Sequence, residues 1–551
     1  VTTSDDGPRL AIEPLGDNGW LARLAGDPAP HRLRALAAAL ERRWPGAFED
    51  LIPTWNTLGI LGRDLDNASH LDQALAALSL PEAPAAPPRL VEIPTRYGGQ
   101  CGRDLDDLAR RLGLSSEEVV RLHSAPTYEV AFLGFLPGFP YLEGLDPRLQ
   151  APRRATPRPR VPAGSVGIAG AATGIYPLES PGGWHLIGRS ALPLFDPHRE
   201  PAALLQAGDR VRFVPVDADT SEPPPPRATA LPSSPVFEVV AAGLATSIQD
   251  LGRPGCGAIG LGPGGALDPD AHLLANWLVG NPSDAATLEL DTVGPTLRCL
   301  QPLEIALVGA PFELRVDGRV VDTHRPHPVP AGALIETGRP TWGRRAYLAI
   351  TGGFDAPLEL GSRSWHSLAR LGLRVERGQT LGRANDEQAP TPMPQSAWSL
   401  RHRPRPSAEL RLVLAPGADP AILAQRWRVS TRADRMALVL EPATTALRPA
   451  AADRLTEPVT FGTVQRLPDG CLAILLADRQ TTGGYPRLGE IAAADRASLA
   501  QLRPGDHVSL RAVAIATARA MRSEQISALA ALRLAIAARR PVPVPQRGTM
   551  G

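Results

Sequence analysis

Hydrophobic and polar positions alternate between strand and helix periods over the first 90 or so residues. "RLAIEPLGDNGWLARL" reads as two short strands around an Asp-Asn-Gly turn, and "HRLRALAAALERRW" carries apolar residues at helical spacing. "LIPTWNTLGILG" is strand-like again, and "SHLDQALAALSL" is helical with Asn67 or Ser69 near its N-cap. The pattern predicts a small α+β domain over 1–88, of the split βαβ kind, ending in the stiff linker "PEAPAAPP". Next come the strand-like "LVEIPTRYGG", the helical "DLDDLARRLG" and "SSEEVVRLHS", the latter with a capping start, and then strands and turns to "AGDRVRFVPV". These define a β-rich domain over 89–216. The Pro-rich, aperiodic "DADTSEPPPPRATALPSSP" predicts a linker over 217–235. Short apolar runs between Gly and Pro then argue for β-rich barrels rather than a parallel sheet, over 236–400 and 401–515. "SEQISALAALRLAIAARR" predicts a C-terminal amphipathic helix, with a mobile tail, within 516–551. The fold class is mainly β with an α+β N-terminal domain.

A repeat runs through this pattern. Gly164-Ser165-Val166 matches Gly462-Thr463-Val464, Gly182-Gly183-Trp184 matches Gly483-Gly484-Tyr485, and Gly208-Asp209 matches Gly505-Asp506. Three signatures in the same order, offset by 297 to 301 residues, indicate two copies of one β-rich module.

Composition narrows the chemistry. All 58 basic residues are arginine, so this chain can carry no phosphate-loop lysine, Schiff base, Ser-Ser-Lys amidase triad or biotinyl-lysine. A formal charge of +1 gives no global field for nucleic acid or anionic membrane. Cys101, Cys256, Cys299 and Cys471 are scattered without a CxxC, which fits a reducing compartment. His324 and His327 lie among prolines that forbid the helix needed to align them on a metal, and no metal site is expected. Without a signal-like start or an apolar run of membrane length, the chain reads as cytoplasmic.

A Gly-Gly before an aromatic admits two readings. The glycines can turn a tight barrel corner under a covering ring. Alternatively, they let a ligand approach backbone N–H groups, with Trp184 or Tyr485 as a pocket wall. Polar neighbours favour the second: Ser180 before one pair, and Arg479, Gln480, Thr481 and Thr482 before the other. Ser165, Tyr176, Gly182 and Gly183 join the candidates through the repeat. Arg153, Arg154, Arg158 and Arg160 cluster among prolines, and one or two of them, with Arg153 and Arg160 put forward, suit a carboxylate or phosphate. "SIQDLGRPGCGAIGLGPGG" sets Gln249, Asp250 and Arg253 before a Gly-rich loop and a helix with Asp268 at its N-cap. This arrangement weakly resembles an anion site. Asn276 there either braces the loop or touches substrate.

"GFLPGFPYLEGLDPRLQAPRRATPRPRVPAGSVGIAGAATGIYPLESPGGWHLIGRS" resembles the family of allophanate hydrolase subunit 1, also known as the 5-oxoprolinase B subunit. "SIQDLGRPGCGAIGLGPGGALDPDAHLLANWLVGNPSDAATLEL", "LGSRS" (with Arg363) and "LADRQTTGGYPRLGEI" resemble the companion family, allophanate hydrolase subunit 2 or the 5-oxoprolinase C subunit. The resemblance implies cyclophilin-like β-barrels in both halves. It also implies a fused B–C component of ATP-dependent 5-oxoprolinase, a hydrolase using ATP and Mg2+ that opens 5-oxo-L-proline to L-glutamate with a separate A-type subunit. Similar domains serve as the carboxyltransferase of urea carboxylase, which here would need a separate biotin carrier. Other relatives inhibit a sporulation histidine kinase. His123 matches a family neighbourhood and His185 follows the GGW, so both stand as acid–base candidates. The expected ligand is a small amide, and a homo-oligomer is possible. Arg103 and Trp365-His366 depart from the family pattern.

Overall fold

The computed structural model describes residues 10–63, 68–76, 88–217, 232–385, 408–443 and 455–539. The N-terminal sheet consists of two hairpins, β1 (Leu10–Pro14) with β2 (Gly19–Leu24) and β3 (Phe48–Pro53) with β4 (Thr57–Gly62). Helix α1 (Pro30–Arg43) joins them and α2 (Ala68–Ala76) follows. The order is β1-β2-β4-β3, each neighbouring pair antiparallel, so β2 and β3, joined through α1, run parallel on either side of β4, which is the split βαβ arrangement expected. The short turns pair β1 with β2 and β3 with β4, while the longer connection through α1 carries the chain past β4 to the sheet edge. Trp20, Leu33, Leu36 and Ile60 fill the space under the helices. Asn67, one of the two expected caps of α2, lies outside the described residues.

The next segment runs β5 (Leu90–Tyr97), α3 (Leu105–Leu112), α4 (Ser116–Ser124), β6 (Tyr128–Leu133), β7 (Pro140–Glu143) and β8 (Arg158–Val161). It continues with β9 (Ser165–Ala169), β10 (Ala172–Ile175), β11 (Ser180–Gly182), β12 (His185–Arg189) and β13 (Arg210–Pro215). The capping start of α4 is real: the Glu118 N–H donates to Ser115 Oγ at 3.2 Å. Seven strands close a barrel in the cyclic order β10-β7-β6-β13-β5-β12-β9, while β8 and β11 form a separate ribbon.

The middle region opens with β14 (Pro235–Ala241), β15 (Ser247–Gln249), α5 (Pro269–Leu278), β16 (Thr287–Asp291), β17 (Thr296–Cys299) and β18 (Leu303–Gly309). After it come β19 (Phe312–Val316), β20 (Arg319–Val321), β21 (Pro326–Val329), β22 (Leu334–Pro340), β23 (Arg345–Ile350), β24 (Phe354–Asp355) and β25 (Thr380–Arg383). A seven-stranded and a five-stranded sheet share one core around Phe237, Leu288, Leu348 and Phe354. Most of the expected 217–235 linker lies outside the described residues, as does the expected tail.

The last segment contains β26 (Glu409–Leu414), β27 (Trp427–Ala433), β28 (Ala437–Pro442), β29 (Glu457–Pro458), β30 (Thr463–Arg466) and β31 (Leu472–Leu475). It ends with β32 (Thr482–Gly483), β33 (Arg487–Ile491), α6 (Arg496–Gln501), β34 (His507–Ala512) and α7 (Ile515–Ala537). Its barrel, β26-β33-β30-β31-β28-β27-β34, has the cyclic order of the first, strand for strand, and the β29–β32 ribbon repeats β8–β11. Each barrel is closed by one parallel pair, β13 with β5 and β34 with β26. Even the turns agree: Asp209 accepts from the Gln206 N–H and Asp506 from the Arg503 N–H, both at 2.8 Å. The positive φ of Gly208 (97°) and Gly505 (94°) explains why this turn demands glycine twice.

Candidate functional site

The two Gly-Gly corners, matched in sequence, have different surroundings. At the first, a Cβ on Gly182 would stand 2.5 Å from Tyr176 Oη, so the space over this glycine is already filled. Trp184 packs edge-on to Phe139 (5.4 Å) and Tyr141 (5.8 Å), and Phe139 to Tyr176 (5.2 Å), in one buried aromatic cluster. Gly183, in contrast, has nothing closer than 3.9 Å to its missing Cβ. At the second corner, a Cβ on Gly483 would meet the Gln465 amide at 2.5 Å and the Gln480 amide at 3.3 Å, and Tyr485 is exposed. Thr482 Oγ1 accepts from the Phe135 N–H of the first half at 3.1 Å, so this corner touches the loop that leads into the aromatic cluster.

Arg479, four residues before Gly483, lines a cavity of about 170 Å³ that no residue of the corner itself enters. Its walls come from three regions: the β1–β2 turn with Glu49, the loop around Gly264, and the second barrel with Phe461, Arg479 and Arg496. Arg479 is almost completely buried, at 5% exposed. Its Nη1 donates to the Leu476 carbonyl at 3.4 Å, its Nε has no partner, and it forms no ion pair among the described residues. Burial pushes its pKa down to about 10. The Arg496 guanidinium lies over the Phe461 ring at 4.7 Å, its Nε likewise without a partner, and burial also lowers its pKa. Two guanidinium groups, one buried and one half-buried, that repel one another and meet no carboxylate among the described residues have the chemistry to hold an oxygen-bearing ligand.

Arg479 is held by its neighbour. Asp478 accepts from Arg435 at 3.0 Å and from the Ser367 N–H at 2.9 Å, and Arg435 also binds Glu289 and, at 2.6 Å, the Gly265 carbonyl. This buried network ties the middle region to the second barrel directly behind the cavity. On the other side, the N-terminal sheet docks onto the same barrel: Gly16 N–H to Glu490 (3.1 Å), Ala493 N–H to Asp17 (2.9 Å), and Arg23 to Glu457 (2.8 Å).

The Gly-rich loop serves as a joint. The Gly138 N–H of the first half donates to the Ile259 carbonyl at 2.8 Å, and the Gly257 N–H to Asp50 at 2.7 Å. A Cβ at Gly257 would collide with Asp50 at 2.8 Å. Asp268 does cap α5, accepting from the Ala271 N–H at 3.1 Å, while Gln501 donates to its other oxygen at 3.1 Å. The helix start is thus satisfied from within the chain, which corrects the expectation of an anion there. Asp50, buried between sheet and loop, has its pKa pushed up to about 7 by burial.

Of the residues put forward from the sequence, Arg479 lines the cavity, and Thr481 and Thr482 follow it in the chain; the others are distributed elsewhere. Gln249, Asp250, Arg253 and Asn276 knit the middle region together. Asp250 accepts from Ser362 (2.6 Å), Ser364 (2.5 Å) and the Arg363 N–H (2.6 Å). Arg253 donates to the Ser364 carbonyl at 2.7 Å, Gln249 to Ser247 at 2.9 Å and Asn276 to the Ala285 carbonyl at 2.7 Å. Ser165 and Ser180 donate to local carbonyls, Arg153 is exposed, and Arg160 is exposed and paired with Glu179 at 2.5 Å. His185 Nε2 meets the Pro152 carbonyl at 2.9 Å. His123 lies inside the first barrel between Tyr97 Oη (2.8 Å) and Thr173 Oγ1 (2.9 Å). The Thr173 proton goes to the Gly167 carbonyl, so His123 donates from Nε2 and accepts at Nδ1. Burial holds it neutral, with a pKa of about 3. Both ring nitrogens are engaged within the fold, away from the cavity. The sequence reading missed Glu49, Phe461 and Arg496; the adjacent acids of "FEDLIP" on a strand otherwise dominated by apolar residues were the one available signal for Glu49.

Comparison with known proteins matches this architecture. Residues 10–205 match the family "carboxyltransferase domain, subdomain C and D", and residues 259–512 match "carboxyltransferase domain, subdomain A and B". The first half is 40% identical over 223 residues to the 5-oxoprolinase B subunit of Bacillus subtilis (37% of this chain, 92% of that protein). The second is 31% identical over 282 residues to the 5-oxoprolinase C subunit of Haemophilus influenzae (50% of this chain, 91% of that protein). The crystal structure of TTHA0988 superposes with a TM-score of 0.81 at 36% identity, covering 90% of this chain and 99% of that one. The chain belongs to the families of the 5-oxoprolinase B and C subunits, joined in one polypeptide. A putative urea carboxylase of Emericella nidulans is also similar, 31% identical over 313 residues, but these make up only 25% of that protein.

Proposed function

We propose that this chain is the fused B–C component of an ATP-dependent 5-oxoprolinase, holding 5-oxo-L-proline for conversion to L-glutamate with a separate A-type subunit. The observation that carries the reading is the cavity. It is built jointly by the B-like and C-like halves and presents Arg479 and Arg496 without ion-pair partners among the described residues. An amide is a poor electrophile. Guanidinium groups in a water-poor site stabilise negative charge developing on its oxygen, or hold the carboxylate of the acid.

The same cavity does not fit the nucleotide. At about 170 Å³ it is smaller than the roughly 300–1,000 Å³ of pockets that enclose larger ligands, and the chain has no lysine for phosphate. ATP with Mg2+ is therefore placed outside this cavity, whose residues bind and orient the small acid.

Reconstitution tests the proposal: this protein with the A-type subunit, ATP, Mg2+ and 5-oxo-L-proline is expected to release glutamate. No glutamate from verified, folded partners would reject it. The similarity of the second half to urea carboxylase supports a second reading, carboxyl transfer to an amide. That reading predicts carboxylation of urea in the presence of a carboxybiotin-loaded carrier protein instead.

A further inference from the structure

Glu49 stands on β3, half-buried, at the wall of the cavity that Arg479 and Arg496 also line. It lies near enough to attract both the Arg479 and Arg496 guanidinium groups, yet it forms no ion pair or side-chain hydrogen bond among the described residues. The other acids around it are committed: Asp17 accepts from the Ala493 N–H and Asp50 from the Gly257 N–H. A carboxylate and two guanidinium groups thus line one cavity of small-molecule size without pairing among the described residues.

Such a cavity is complementary to a group that carries both an acceptor and a donor. A plain carboxylate satisfies the arginines but confronts Glu49 with a like charge. An ester or lactone offers Glu49 no proton. An amide N–H meets Glu49 while its carbonyl oxygen meets the arginines, so both are matched. We infer that Glu49 is a specificity-determining residue that accepts the N–H of a substrate amide, with Arg479 and Arg496 on the carbonyl side, so that the cavity selects lactams and ureido groups over esters and N-alkylated amides. This deepens the reading of the cavity as an amide site and rests on it, but it holds equally for a lactam or a urea.

Binding to the intact chain tests the inference without ATP, partner or turnover. The probes are 2-pyrrolidinone, N-methyl-2-pyrrolidinone and γ-butyrolactone, titrated by ligand-observed NMR. The expected result is at least about tenfold tighter binding of 2-pyrrolidinone than of the other two, the discrimination a site gains by hydrogen-bonding one N–H. In Glu49→Leu the three should bind alike. Glu49→Gln, which keeps an acceptor oxygen, should retain part of the preference and serves as the control should Glu49→Leu fold poorly. Equal binding of lactam and lactone to the wild-type protein, no detectable lactam binding, or full discrimination in Glu49→Leu would each overturn the inference. If discrimination is intact but reconstitution yields no glutamate, only the proposed 5-oxoprolinase role fails. Glutamate formation without discrimination removes only the role of Glu49.

Discussion

Around Gly182 the first barrel presents rings, whereas around Gly483 the second presents amides, hydroxyls and, three residues before the ribbon, a buried arginine. Strand order, parallel closure and the Gly-Asp turn are the same in both, so the difference lies in what fills the corner. A closed barrel fixes where a corner stands and leaves its chemistry to a few side chains. In this chain one copy has become a packed support, and the other carries a wall of the cavity.

The largest expected effect is on the support. Trp184→Ala removes a ring packed against Phe139 and Tyr141 and should cost about 3–5 kcal/mol in urea unfolding, with turnover per folded molecule nearly unchanged. A comparable loss of turnover would break the division of labour between the corners. Arg479→Met should behave in the opposite way. In the reconstituted reaction it should lower turnover by about 10²–10³-fold, the cost of removing one preorganised donor. Because the arginine is buried without an ion pair among the described residues, the melting temperature should hold or rise.

Acid sharpens the contrast next. His123 inside the first barrel has a pKa of about 3, and His272 and His366 in the middle region about 4, all lowered by burial. The unfolded chain takes up these protons near 6.5 while the folded chain does not. Stability is therefore fully present above that pH and falls by about 1.4 kcal/mol per unit per histidine as pH drops towards 4. The second barrel holds no buried histidine among its described residues, His507 being exposed. Hydrogen exchange followed from pH 7 to 5 should show the first barrel losing protection before the second. The smallest effect is expected at Arg160. Arg160→Ala removes an exposed ion pair and should change stability by less than about 0.5 kcal/mol and turnover not at all.

Much of the fold could be read from the sequence because glycine positions record backbone conformation. Gly164 and Gly462 have φ of 80° and 85°, and the matched motifs led directly to matched barrels. Helix starts were legible for the same reason, since Ser115 and Asp268 cap by local hydrogen bonds. Function was harder to read. The Gly-rich loop has the composition of an anion cradle, yet its glycines serve close contact with Asp50 and with the first half, partners some 120 to 200 residues away. Arg253 and Asp250 looked like ligand groups, but their partners are the Ser362–Ser364 stretch more than 100 residues on. Arg496 carries no local signal, and Glu49 only that of the adjacent acids in "FEDLIP", because the cavity that gives them meaning forms only when distant segments meet.

Two of the segments that meet there, residues 15–62 and 460–496, stand far apart in the sequence, one in each half. Where the corresponding halves are separate molecules, the completeness of such a site depends on how much of each is synthesised and how dilute they become. Joined covalently, they have a fixed one-to-one ratio and a local concentration of millimolar order. Occupancy of the assembled state then no longer depends on gene dosage or cell volume, and a cell carrying the fusion has one fewer encounter to make before the enzyme exists.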